Sequence, residues 1–261
     1  MTLKEKIAAG QPVFGTHINV TDPMITEIAA SLNYDFIWID MEHTAMSAEH
    51  VYHHLLAART GGTPVLVRVP VDDLTLTKKV LEMGIDGIVF PMVKNAEHAK
   101  RLLDNTLYPP YGTRGCGPKG AVRYGLDDEA AFYKEGHLKL CRFIQVEQES
   151  AALEAEEIAK IPYLDGCILG MHDLSGSIGR LGDIFCEKNL SLANRTIQAF
   201  HAAGKAVGVS TFATDEEILK RYYKMGITVI SSGADYEYVL KGAKATRKVL
   251  EGLMDDAVVT K

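Results

Sequence analysis

Short apolar runs recur along this 261-residue chain, each followed by a longer stretch in which apolar positions return every three or four residues. The runs FIWID, VLVRV, GIVFP, CRFIQV, DGCIL, AVGVS and TVISS are nearly continuous in hydrophobicity, as strands covered on both faces should be. They place strands at Pro12–Ile18, Asp35–Asp40, Pro64–Val69, Gly87–Pro91, Cys141–Glu147, Leu164–Leu169, Lys205–Thr211 and Thr228–Ser232. The periodicity between them predicts helices over Ala48–Arg59, Leu74–Met83, Ala96–Asp104, Ser150–Lys160, Leu190–Ala203 and Asp215–Met225. Gly61, Gly84, Gly204 and Gly226 stand where helix C-caps are expected. Strands alternating with helices predict an α/β fold with a parallel sheet. Eight such units in this length predict one domain, residues 1–261, folded as a (β/α)8 TIM barrel. A doubly wound sheet competes, but no GxGxxG fingerprint follows the first strand.

Composition narrows the field. With 47% hydrophobic and 24% charged residues the chain reads as globular. A formal charge of −6 gives no general attraction to nucleic acid or to an anionic membrane, so neither is expected as a partner. An anionic substrate must then be drawn by a local cation, either a metal or an arginine. The four cysteines form no CxxC pair, which leaves a zinc or redox motif unsupported, and Cys141 and Cys167 lie in apolar runs that suit buried thiols. The start, MTLKEKIAAG, lacks the apolar core of a signal peptide, and no segment has the length of a membrane span; a cytoplasmic protein is expected.

In a barrel of this kind chemistry is located at the C-terminal ends of the strands. Four expected strands end there in polar residues that make little sense as packing. The second ends Ile39-Asp40-Met41-Glu42-His43, the third carries Arg68, the fifth ends Gln145-Val146-Glu147, and the sixth runs into Gly170-Met171-His172-Asp173. Glu147 and Asp173 are candidate metal ligands, because two carboxylates without a Cys or His cluster suit a hard cation completed by water and substrate oxygens. Taken singly, either acid is as well explained as a cap or loop ion pair; Asp173 can cap a following short helix. His43 is the candidate general acid/base, with Asp40 as the carboxylate that orients it. A surface histidine on a loop is the plainer alternative.

Arg68 stands in an otherwise apolar strand and needs an anionic partner. That partner is either a structural acid such as Glu42 or Glu147, or a substrate carboxylate or enolate oxygen, which the planar guanidinium suits. The irregular stretch Tyr108–Leu126 is either a well-made loop or, through Arg114 and its glycine-flanked amides, part of the cavity mouth. No lysine falls at a strand end inside the barrel, which argues against a Schiff-base enzyme.

Together these segments resemble the HpcH/HpaI aldolase family, metal-dependent class II pyruvate aldolases with a TIM-barrel fold. The resemblance runs from about Lys6 to Leu250. It rests on IDMEH (Ile39–His43), VRVP (Val67–Pro70), VFPMVKNA (Val89–Ala96), YPPYGTRG (Tyr108–Gly115), IQVE (Ile144–Glu147) and DGCILGMHDLSGSIG (Asp165–Gly179). It implies a divalent cation (Mg, Mn or Co) on Glu147 and Asp173, and Arg68 against the pyruvyl oxygen. It also implies His43 as acid/base with Asp40 as its partner, Gln145 lining the site, and backbone amides of Met171, His172 and Asp173 on the pyruvate carboxylate. Where the family usually reads G-P-x-D-L-S, this chain has Gly170-Met171-His172-Asp173-Leu174-Ser175.

The activity so implied is reversible cleavage of a 4-hydroxy-2-oxo acid to pyruvate, or a close 2-oxo acid, and an aldehyde through a metal-bound enolate. The resemblance also implies a homo-oligomer, commonly a hexamer of dimers that exchange the last helix, here about Asp235–Leu253. Two other readings stay open: another lyase or a decarboxylase using the same metal–enolate chemistry, and a non-catalytic barrel that binds a 2-oxo acid without turnover.

Overall fold

The computed structural model describes residues 1–259, so the last two residues of the expected domain lie outside it. Among the described residues, eight parallel strands close into a barrel in chain order. They are β1 (Val13–Ile18), β2 (Phe36–Asp40), β3 (Val65–Arg68), β4 (Gly87–Phe90), β5 (Cys141–Val146), β6 (Gly166–Leu169), β7 (Ala206–Thr211) and β8 (Val229–Ala234), with β8 paired back to β1. Each lies within two residues of an expected strand at both ends. Helix α1 (Leu3–Ala8) precedes β1, and α2 (Met24–Ala30), α3 (Ala48–Thr60), α4 (Leu74–Glu82) and α5 (Ala96–Asp104) follow the first four strands in turn. Then come α6 (Glu129–Lys134), α7 (Glu149–Leu153), α8 (Ala155–Ala159), α9 (Met171–Ser177), α10 (Glu187–Ala202), α11 (Glu216–Lys224) and α12 (Asp235–Val259). Among the described residues no helix is long and apolar enough to cross a membrane.

Side chains alternate across each strand, and this splits the core into two layers. Val13, Phe36, Trp38, Leu66, Val89, Phe143, Ile168 and Val229 fill the barrel interior, closed from below by Leu3 and Ile7 of α1. Their neighbours, such as Ile37, Ile39, Val67, Ile144 and Leu169, face outward and pack under the helices. The interior is therefore apolar up to the last turn of the strands, where polar side chains take over.

Two expectations need correction. The single helix over Ser150–Lys160 is split into α7 and α8 at Glu154, whose carboxylate accepts the Ala96 amide at the start of α5, 2.9 Å away. The Tyr108–Leu126 stretch does not shape the mouth above the strands. It leads from α5 into β5 and so lies at the opposite, N-terminal face, where the Lys119 amide donates to the Glu82 carbonyl at the end of α4. Arg114 is buried there with its guanidinium 4.6 Å from the Tyr108 ring centre.

Candidate active site

The register of β2 against β3 sets Asp40 directly beside Arg68, both pointing into the barrel. Arg68 donates from Nε to Asp40 Oδ1 at 2.9 Å and from Nη2 to Oδ2 at 2.6 Å, a bidentate pair. Its Nη1 donates to Gln145 Oε1 at 3.2 Å, and Gln145 Nε2 donates in turn to Glu147 Oε2 at 2.8 Å. Gln145 lies on β5 and Glu147 one residue past its end, so the two, two positions apart, share a face. All four side chains are buried, which freezes the array. Burial alone would push the Asp40 carboxyl up, but the Arg68 hydrogen bonds and charge hold it below the usual carboxylate range.

Glu42 and His43 follow β2 at the rim. Glu42 Oε2 lies 3.3 Å from Arg68 Nη1, yet the contact lacks hydrogen-bond geometry, and this buried oxygen has no donor. His43 Nε2 lies 3.5 Å from the same oxygen, with the imidazole side chain 64% exposed. The structure thus gives Asp40 to Arg68 rather than to His43, and the carboxylate nearest His43 is Glu42. Asp173 sits in the first turn of α9, exposed, rather than capping it; the N-cap is Gly170, without a side-chain cap. Asp173 is close enough to help raise the pKa values of both Glu42 and Glu147. Gly170 is required here, since an added Cβ would stand 2.5 Å from Glu147 Oε2.

Residues 14–241 match the family model for HpcH/HpaI aldolase/citrate lyase. The chain belongs to this family. It is 30% identical over 243 residues to the hydroxypyruvate/pyruvate aldolase of Deinococcus radiodurans, covering 93% of this chain and 87% of that one. It is 30% identical over 234 residues to the 2-keto-3-deoxy-L-rhamnonate aldolase of Escherichia coli, covering 89% and 86%. The crystal structure of an HpcH/HpaI family protein from Burkholderia cenocepacia J2315 matches with a TM-score of 0.87 at 28% identity, over 96% of this chain and 98% of that one.

For a family of aldolases and lyases, the donor set can be tested against a metal. Among the described residues no group of three or more His, Cys, Asp or Glu forms a ready-made cage. What the site offers is two carboxylates, Glu147 and Asp173, with the Glu42 oxygen that accepts no hydrogen bond nearby. Glu147 is pushed up to about 7, first by burial and then by Glu42 and Asp173, against the Met92 amide and Arg68. An acidic cluster held at such cost to its ionised form suits a hard divalent cation with substrate and water as remaining ligands. The residues fit the group.

Gln145 has both ends of its amide engaged by protein, so it positions Glu147 and Arg68. Gln145→Leu should therefore weaken divalent-metal binding by roughly 10–100-fold in calorimetric titration, the range for residues that orient a ligand. An unchanged affinity would show that Glu147 needs no such support.

Two features of this aldolase family member escape sequence reading. Met92 adopts a left-handed backbone (φ 53°) just past β4, and this turn aims its amide at Glu147 Oε1. His17 of β1 is buried beside Trp38 and bonded to Ser210 of β7. Nothing in a lone histidine within GTHIN marks it; only barrel closure brings β1 near β7.

Proposed function

We propose that this protein reversibly cleaves a 4-hydroxy-2-oxo acid to pyruvate, or a close 2-oxo acid, and an aldehyde. The observation that carries this reading is the frozen chain Asp40–Arg68–Gln145–Glu147, with Glu42 and Asp173 beside it at the C-terminal end of the barrel. A divalent cation, Mg, Mn or Co, held by Glu147 and Asp173 would supply Lewis-acid polarisation of the 2-oxo group. Arg68, fixed by Asp40, presents positive charge where negative charge develops on the enolate oxygen. The uncapped first-turn amides of α9, at Met171, His172 and Asp173, supply N–H donors for the substrate carboxylate. His43 at the open rim takes the proton from the 4-hydroxyl as the C3–C4 bond breaks and returns it in synthesis. Adding pyruvate, a divalent metal and a panel of aldehydes should give aldol products by NMR. Pyruvate that binds but is never converted would favour a non-catalytic barrel instead.

The same reading includes a homo-oligomer that exchanges α12, a hexamer being the expected form. Tyr238 still bonds Thr16 and Ser232 of the barrel, but beyond it Val239, Leu240, Val249, Leu250 and Leu253 are all exposed. The outer face of β1 and β8, which the last helix of such a barrel ordinarily covers, instead forms an apolar groove along Phe14, Tyr34, Leu219, Tyr223 and Ile230. An unfilled groove and an unpartnered helix on one chain are complementary under two-fold symmetry. Light scattering at micromolar concentration should give a multiple of 28.6 kDa, and Leu219→Asp should lower it. A monomeric wild-type protein would overturn the exchange.

A further inference from the structure

The mouth of the barrel has a second polar side, formed by β7, β8 and β1. His17 is 1% exposed. Its Nδ1 lies 2.8 Å from the Gly233 carbonyl oxygen and its Nε2 lies 2.9 Å from Ser210 Oγ. A carbonyl only accepts, so the neutral imidazole carries its proton on Nδ1 and leaves Nε2 bare. Burial lowers the His17 pKa to about 4, which keeps the ring neutral in the ordinary range. The ring is packed between Trp38, 5.4 Å away, and Phe212, 5.3 Å away, so it cannot readily turn over. With Nε2 bare, the Ser210 hydroxyl must donate to it, and the serine oxygen has only lone pairs left to offer.

Ser210 is the half-buried member of this pair and meets the mouth, whereas His17 is sealed beneath it. The same Trp38 that flanks His17 lies under Arg68, whose guanidinium carbon is 5.7 Å from the indole centre. The contacts from Ser210 to Arg68 therefore run through two rings, the His17 imidazole and the Trp38 indole.

We infer that, with the 4-hydroxyl of the substrate at His43, the carbon beyond it reaches the β7 side of the mouth, where Ser210, held by His17, selects an aldehyde bearing a hydroxyl group next to its carbonyl. This rests on the aldolase reading above. A fixed acceptor rewards a hydrogen-bond donor, gives nothing to a methyl group and repels a carboxylate. In the cleavage direction the recognised group is the 5-hydroxyl of a 4,5-dihydroxy-2-oxo acid. Ser210 is thus a specificity-determining residue, and His17 a positioning residue acting through it.

The test compares aldol addition of pyruvate to glycolaldehyde and to propanal, which differ by a hydroxyl in place of a methyl. The readout is the ratio of kcat/KM values for the two aldehydes, taken within each variant so that any loss of folded protein cancels. Ser210→Ala should lower the glycolaldehyde-to-propanal ratio about tenfold, the scale of one neutral hydrogen bond. Ser210→Thr, which keeps the hydroxyl, should stay within about threefold of wild type. His17→Phe should lower the ratio as well, because it frees the serine hydroxyl to reorient. A ratio unmoved in an active Ser210→Ala protein sinks this inference alone. Wild-type protein that neither adds pyruvate to either aldehyde nor exchanges its C3 protons sinks the aldolase reading, and the inference falls with it.

Discussion

Arg68→Ala should cut both pyruvate C3 proton exchange and aldol cleavage by roughly 10²–10³-fold, the cost of losing one preorganised charge at a developing oxyanion. Both reactions pass through the same enolate, so both should fall together. Stability should fall too. The bidentate partner Asp40 is buried, and removing the guanidinium leaves its charge without compensation, a loss of about 3–5 kcal/mol for a buried pair. Asp40 would then be driven toward its protonated form by the burial that Arg68 now opposes. Arg68→Lys should recover only part of the activity. An ammonium cannot bond both Asp40 oxygens and Gln145 at once, as the guanidinium does. Chemical denaturation and exchange measured on the same preparations separate the two effects. Undiminished exchange in folded Arg68→Ala protein would return the arginine to a structural role.

His43→Ala should behave differently. Cleavage should slow by on the order of 10²–10⁴-fold, the usual contribution of a positioned acid/base. Divalent-metal and pyruvate binding should survive, since neither needs the imidazole. Stability should change by no more than about 0.5 kcal/mol, because the side chain is largely exposed and touches protein mainly at Glu42. The contrast with Arg68 is diagnostic: one residue is locked into the array, the other works at its rim. Cleavage at the wild-type rate in His43→Ala would remove the histidine from the mechanism and direct attention to the buried oxygen of Glu42 that accepts no hydrogen bond.

The fold was legible because its signal is local. Runs such as FIWID and CRFIQV carry their own evidence of burial on both faces, and β2 and β5 lie where those runs fall. The candidate residues Asp40, Arg68, Gln145 and Glu147 were legible for a related reason: a polar side chain at the end of an apolar strand invites explanation. Their pairing was not. Whether Asp40 turns to His43 or to Arg68 depends on the register of β2 against β3, and no periodicity within either strand encodes that. His17 and Ser210 stayed hidden because they meet only when the barrel closes through β8, 193 positions apart in the chain. Met92 stayed hidden because its contribution is a main-chain amide, to which its side chain gives no clue. The sequence left open whether the Tyr108–Leu126 stretch is a plain loop or part of the cavity mouth, because loop length carries no direction. Its position after α5 decides which end of the barrel it occupies.

Enolisation of a bound 2-oxo acid is the central claim, and it can be measured without knowing the aldehyde. Wild-type protein incubated with pyruvate in deuterated water should exchange the C3 protons when a divalent metal is present, followed by the loss of the methyl signal in the proton NMR spectrum. Exchange should stop on chelation and return when metal is restored. Pyruvate that binds with metal present yet keeps its methyl protons over the same period would contradict the claim, because no enolate then forms at Arg68 and Glu147.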